Sequence, residues 1–268
     1  MAKKALCVGI NNYPGTQNDL NGCVNDANAW AGLLVAHYDF PQADVKLLLD
    51  KQATKANIVS GLKALLAGAR AGDVLVFTNS SHGTYIVDKD SEEPDRYDEA
   101  LVPYDFQKNL IVDDELRALF ADLPAGVRLT IISDSCHSGS VTRDVAPAIV
   151  PPPRPRLLRP REFGRPDLSD AELGNLRSSR PERYPESGMK EILLSGCKST
   201  EYSYDAQIGS TFHGAMTFYA IEAITEANYR ITYADLAQRV NDKLMVEGYR
   251  QAPQLEGKTA NKKKLILV

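Results

Sequence analysis

The chain has 268 residues, 43% of them hydrophobic and 25% charged, with a formal net charge of −4. That length suits one large domain or two small ones, and it can bury a core without metal or disulfide staples. The composition excludes wholesale disorder, the acidic balance argues against a basic nucleic-acid-binding chain, and no apolar run is long enough to span a membrane.

Lys3 and Lys4 precede an apolar run, Ala5 to Ile10, that is too short for a signal-peptide core. A cytoplasmic protein is therefore expected. Four cysteines, Cys7, Cys23, Cys136 and Cys197, form no CxxC pair and fit no zinc spacing. Each is expected as a reduced thiol, either a small core hydrophobe or a reactive group.

In chain order, Lys4–Ile10 predicts a strand, Cys23–His37 a helix and Val45–Leu49 a second strand. Thr54–Ala69 predicts a second helix, with Thr54 as its N-cap and Ile58 and Leu62 on its apolar face. Val74–Thr78 is a third strand, continuous and apolar, and Arg128–Ser133 a fourth, with a short helix over Asp113–Phe120 between them. This alternation predicts an α/β protein with parallel strands buried on both faces. From Pro147 to Ser187 the composition changes: nine of the fifteen prolines and eight arginines fall here, and no lysine. That stretch reads as a linker or insertion, with at most a turn or two of helix over Ser169–Leu176. Order returns with a strand at Glu191–Ser195, helices over Thr211–Glu226 and Tyr233–Val246, and a last strand at Lys264–Val268. The chain thus divides into 1–146, a Pro/Arg-rich segment 147–187, and 188–268, expected to form one compact domain.

Two strand ends carry candidate chemistry. The third strand runs into Ser80-Ser81-His82-Gly83 and the fourth into Asp134-Ser135-Cys136-His137. Ligands of open parallel sheets sit beyond the carboxyl ends of the strands. If these strands are neighbours, His82 and Cys136 emerge together as the base and nucleophile of a cysteine hydrolase. The amides of Gly83 and Cys136 then suit an oxyanion. Ser80 and Asp134 each lie two residues before the dyad member and share its face. A buried Asp134 calls for a cationic partner, such as a substrate Arg or Lys. Taken singly, each residue also has a structural reading: a hydrogen-bonding His, a core Cys, a turn-capping Asp.

Together, Ser80-x-His82-Gly83 and Asp134-Ser135-Cys136-His137-Ser138-Gly139 resemble the caspase-like cysteine peptidases, metacaspases and orthocaspases in particular. Lys4–Tyr13, Gly22–Ala27, Asp98–Asp105, Ile111–Leu116, Leu194–Cys197 and Gly214–Thr217 are similar to further family segments. The family's usual Tyr-Ser-Gly-His-Gly is here Asn79-Ser80-Ser81-His82-Gly83, a departure outside the dyad. The resemblance implies a caspase-like fold, a mostly parallel six-stranded sheet between helices. It implies His82 and Cys136 as the catalytic dyad, and an acidic pocket at Cys23, Asp26, Ser80 and Asp134 that selects Arg or Lys before the cut bond. It also implies a calcium site whose nearest matches are Asp98, Asp113 and Asp114, with Asp144 as a further candidate. Three carboxylates with carbonyls and water are chemically adequate for calcium, while Asp113 and Asp114 also suit a helix N-terminus. His137 is the weaker second candidate for a base.

The arginines then gain a meaning. An enzyme that cuts after basic residues carries candidate sites in its own linker, which is expected either to be cleaved in cis or to lie in the cleft and block it. Proline follows Arg154, Arg159, Arg165 and Arg180 and disfavours them, leaving Arg156, Arg161, Arg177 and Arg183; Arg143 is another candidate. The expected enzyme is a monomeric cysteine endopeptidase acting on peptides or proteins at Arg or Lys, with no organic cofactor and no nucleic-acid or membrane partner. The rival readings are a silent caspase-like module that binds basic peptides and a cysteine amidohydrolase acting on small molecules.

Overall fold

The computed structural model describes residues 1–87, 97–136, 151–165, 186–198 and 201–268. Its centre is a six-stranded sheet in the order β12-β9-β7-β3-β1-β2. The strands are β1 (Lys3–Gly9), β2 (Val45–Leu49), β3 (Val74–Ser80), β7 (Arg128–Asp134), β9 (Ile192–Ser195) and β12 (Gln254–Glu256). The first five run parallel, and β12 closes the edge antiparallel to β9. No helix among the described residues is long and apolar enough to cross a membrane.

The apolar runs form this sheet because both of its faces are buried. Side chains alternate along a strand, so Ala5, Cys7, Val74, Val76, Ile132, Ile192 and Leu194 face one core. Leu6, Val8, Leu75, Phe77, Leu129 and Ile131 face the other. The first core is covered by helices α1 (Cys23–His37), α4 (Ala215–Glu226) and α5 (Tyr233–Val246), through residues such as Trp30, Leu34, Met216, Ala220 and Val240. The second is covered by α2 (Lys55–Leu66) and α3 (Asp113–Ala121), through residues such as Ile58, Leu62 and Phe120. Thr54 caps α2 as expected, accepting the Asn57 amide at 3.3 Å. Thr232 caps α5 through the Asp235 amide at 3.1 Å. Gly9 lets α1 lie against β1: a Cβ there would stand 2.4 Å from the Cys23 carbonyl oxygen.

Two small sheets flank the main one. Strands β4 (Gly83–Val87), β5 (Tyr97–Leu101) and β6 (Ile111–Val112) form an antiparallel sheet in the order β4-β5-β6. The second has the order β11-β10-β8, with β8 at Arg154–Pro155, β10 at Tyr204–Ile208 and β11 at Thr211–Gly214.

Three expectations change. Thr211–Gly214 is a strand, and the helix begins only at Ala215, because the first four residues pair with β10. Lys264–Val268 is not a strand; Leu265 makes one bridge to Thr232 after a short helix α6 (Thr259–Lys262), and the sheet's edge is Gln254–Glu256 instead. The Pro/Arg-rich stretch contributes β8 and a 3₁₀ turn at Pro160–Phe163. All four cysteines are free thiols.

Candidate active site

Strands β3 and β7 are neighbours in parallel register, with Ser80 opposite Asp134. His82 and Cys136 therefore leave the sheet side by side, each two residues past that pair. Both are buried, at 2% and 0% exposure.

His82 is held from several sides. Its amide donates to the Tyr13 hydroxyl at 3.1 Å, and the two rings lie 5.2 Å apart. The Tyr13 hydroxyl in turn donates to the Val102 carbonyl at 3.0 Å. The ring's Nε2 lies 2.7 Å from the Asn18 carbonyl oxygen, a contact that requires the proton on Nε2. Nδ1 then carries the lone pair; it is buried and, among the described residues, no donor reaches it. Burial, reinforced by the positive charges of Arg154 and Arg156, pushes the imidazole pKa down to about 4, against the opposing pull of the Asn18 bond. The ring is thus neutral at physiological pH. The Cys136 thiol points to the Glu201 carbonyl at 3.2 Å, and Cys197 to the same oxygen at 3.2 Å.

The amides proposed to hold an oxyanion converge on one atom. Gly83 N–H and Cys136 N–H donate to the Arg156 carbonyl oxygen at 2.9 and 3.3 Å. That carbonyl belongs to the Pro/Arg-rich segment, whose residues 154–158 run through the cleft as an extended chain. Arg154 and Pro155 pair antiparallel with Asp205 and Tyr204. The Arg156 amide donates to the Ser203 carbonyl at 2.9 Å, and the Leu158 amide to the Gly83 carbonyl at 2.9 Å. The Arg154 guanidinium reaches the carbonyls of Gln17 and Asp19, on either side of the Asn18 carbonyl that meets His82.

The Arg156 side chain is fully buried in the acidic pocket. Its guanidinium donates to Asp26 at 2.8 Å, Asp205 at 3.0 Å, the Ser80 hydroxyl at 2.6 Å and the Asp134 carbonyl at 3.0 Å. The Asp134 carboxylate is farther, at 3.5 Å. The pocket carboxylates have further donors. Gly214 N–H meets both oxygens of Asp26 at 3.0–3.1 Å, with His213 at 3.1 Å and the Ser80 hydroxyl at 2.6 Å. Asp134 accepts the Thr217 amide at 2.9 Å, at the first turn of α4, and the Ser203 hydroxyl. Such a helix start favours an anion. Asp205 accepts the Asn21 and Gly22 amides at 2.8 and 2.9 Å. Gly214 has no room for a side chain, since a Cβ there would stand 2.1 Å from an Asp134 oxygen and 2.5 Å from the guanidinium.

The electrostatics follow from these partners. Burial pushes Asp26 upward, but Arg156, His213 and Ser80 outweigh it and hold its carboxyl below the usual range. Burial raises Asp134, the Asp26 charge adds to that, and Arg156 offsets only part. Burial works against the charge of Arg156, but the surrounding carboxylates hold the guanidinium protonated, with a pKa well above the usual value. Cys23, at the start of α1, is buried beside Ser80, and burial raises its thiol well above the usual range.

The structure therefore brings together His82, Gly83, Cys136, Cys23, Asp26, Ser80 and Asp134. Sequence reasoning missed Asp205, which sits two residues after Ser203 on the same face of one extended segment, and Gly214. Its separate weighing of the linker arginines also did not single out Arg156 as the one that the structure places in the pocket. His137, Arg143, Asp144, Arg177 and Arg183 lie outside the described residues.

Of the calcium candidates Asp98, Asp113 and Asp114, the last two lie in the first turn of α3. Asp113 and Asp114 both ion-pair with Arg117, Asp114 at 2.8 Å. Among the described residues no group of three or more metal-ligating side chains converges.

The family profile described as "Metacaspase, peptidase C14 domain" matches residues 3–144. Metacaspase-1A of Neurospora crassa is 35% identical over 94% of this chain, which spans 62% of that relative's length. Metacaspase-1A of Aspergillus fumigatus is also 35% identical, over 94% of this chain and 68% of the relative. Among solved structures, a protein from Geobacter sulfurreducens matches with TM-score 0.72 at 23% identity, covering 100% of this chain and 99% of that one. Caspase-1 of Spodoptera frugiperda matches with TM-score 0.57 at 13% identity, covering 95% and 86%. At those identities the structural matches establish the fold, which is caspase-like.

Proposed function

The chain belongs to the metacaspase family of cysteine peptidases, and from that premise we propose that it is an endopeptidase cutting after Arg or Lys through His82 and Cys136. We further propose that its own Arg156–Leu157 bond lies in the cleft as the first substrate. The observation that carries this reading is the double placement of Arg156: its guanidinium lies among three carboxylates, and its carbonyl oxygen accepts from two converging amides.

In the proposed reaction the Cys136 thiol loses its proton to Nδ1 of His82, and the sulfur attacks the scissile carbonyl carbon. The amides of Gly83 and Cys136 hold the negative oxygen; loss of one such donor typically costs about 10²–10³-fold in rate. His82 returns the proton to the leaving amine. Water, deprotonated by the same nitrogen, then releases the acyl group. Asn18 keeps the ring in the tautomer this needs, and Tyr13 holds the His82 backbone and packs against its ring.

A pocket with Asp26 and Asp205 at hydrogen-bond distance suits a guanidinium, which presents several donors to two carboxylates at once. Lys reaches the same oxygens as a point charge. An Asp side chain finds only like charge.

The test is hydrolysis of fluorogenic peptides ending in Arg, Lys or Asp by the full chain, after incubation that allows its own bond to be cut, and by Cys136→Ala. Each is run with calcium and with chelator, which reads metal dependence directly. Turnover of Arg and Lys peptides, absent in Cys136→Ala, is expected. Turnover surviving in that variant, or cleavage after Asp alone, overturns the assignment.

A further inference from the structure

The seated segment continues past the proposed cut, and its next residue has an environment of its own. Leu157 bridges to Gly83 in parallel register, and Leu158 bonds the Gly83 carbonyl, so the backbone is clamped on both sides of the Arg156 carbonyl. The Leu157 side chain joins a small apolar cluster with Tyr85 and Cys136, and Cys197 and Tyr202 pack at its margin. Tyr85, Cys136 and Leu157 belong to neither of the two cores that stabilise the sheet, and Tyr202 packs against both this cluster and the first core.

We propose that Tyr85, Tyr202 and Cys197 form a specificity subsite for the residue after the cut bond, and that it selects a branched aliphatic side chain such as Leu. The inference rests on the proposed function and names the substrate class more closely: Arg or Lys followed by an apolar residue. Two tyrosine rings and a sulfur offer contact area but little to solvate a charge. Negative charge is further disfavoured. The Cys197 thiol is pushed well above its usual range first by its hydrogen bond with Cys136, then by burial, then by the charges of Cys136, Asp134 and Glu99. A carboxylate in the slot meets that same field. Glycine leaves the slot unfilled.

Substrates ending in a fluorophore have no residue in this slot and cannot read it. The test uses internally quenched peptides with one fixed half, Pro-Arg-Pro-Arg, followed by Leu, Gly or Asp. They are given to the full chain after incubation, and to Arg156→Gln, whose segment no longer grips the acidic pocket. The expected kcat/KM for Leu exceeds that for Gly by on the order of tenfold, and that for Asp by more. Tyr202→Ala brings the Leu/Gly ratio toward one while the preference for Arg over Gln before the cut persists, and Tyr202→Phe keeps both. Equal rates for Leu, Gly and Asp overturn this inference and leave the proposed function standing. Failure of both chains to cut any of the arginyl peptides overturns the two together.

Discussion

Cys136 and Arg156 meet through their backbones: the Cys136 amide donates to the Arg156 carbonyl oxygen at 3.3 Å. With the Gly83 amide on the same oxygen, this is the arrangement an acyl-transfer enzyme makes around the bond it cuts. Under the proposed function, that bond is the chain's own Arg156–Leu157.

The three pocket carboxylates differ in duty. Asp26 and Asp205 touch the guanidinium at 2.8 and 3.0 Å, whereas the Asp134 carboxylate stands at 3.5 Å and accepts the Thr217 amide. Losing one partner of a buried charge pair costs about 2–5 kcal/mol. Asp26→Asn and Asp205→Asn are therefore expected to lower kcat/KM for arginyl peptides by about a hundredfold or more. Asp134→Asn keeps an oxygen for Thr217 and removes a charge whose pKa burial already raises. It is expected to cost tenfold or less in kcat/KM and to leave Tm unchanged or higher. Equal losses across the three variants contradict this division.

Gly214→Ala fills the pocket from its wall. The added carbon would stand 2.1 Å from an Asp134 oxygen and 2.5 Å from the guanidinium. Cleavage after Arg is expected to fall by about a hundredfold or more, while the sheet stays intact by circular dichroism. A variant that still cuts arginyl peptides at the parent rate shows that Arg does not enter as drawn.

Protonation of His82 offers a third test. Its pKa is pushed down from about 6.5 to about 4, first by burial. Between those values the unfolded chain binds a proton that the folded chain does not, so stability falls as pH drops through that window and levels off below it. In Cys136→Ala the His82 ring is expected to stay neutral to about pH 4 by NMR, and Tm is expected to fall from pH 6.5 to 4 by more than in His82→Gln. Adding Arg156→Gln removes a nearby positive charge and opens the cleft to water, so the ring then titrates higher. A ring that titrates near 6.5 with the segment in place contradicts the buried geometry.

The main sheet was legible because parallel strands buried on both faces read as apolar runs, unbroken in Val74–Phe77 and interrupted only by Thr130 in Leu129–Ile132. The dyad was legible because such runs end in polar residues at the ligand-bearing edge. The edge strand Gln254–Glu256 was hidden by polar residues at both its ends. Thr211–Gly214 read as helix since nothing local marks its pairing with β10. Asp205 stood alone among tyrosines, and its role depends on the Asn21 and Gly22 amides some 180 positions away. Eight linker arginines resemble one another in composition, and only the register of Arg154–Pro155 against β10 brings Arg156 to the pocket.

The most direct measurement is the intact mass and new N-terminus of the purified chain followed over time, beside Cys136→Ala, Arg156→Gln and Arg156→Lys. A cut between Arg156 and Leu157 is expected in the parent and in Arg156→Lys, with Leu157 as the new N-terminus, and no cut there in Cys136→Ala or Arg156→Gln. A parent chain that cuts arginyl peptides while its Arg156–Leu157 bond stays whole, or a Cys136→Ala chain that is cut at the same bond, contradicts that expectation.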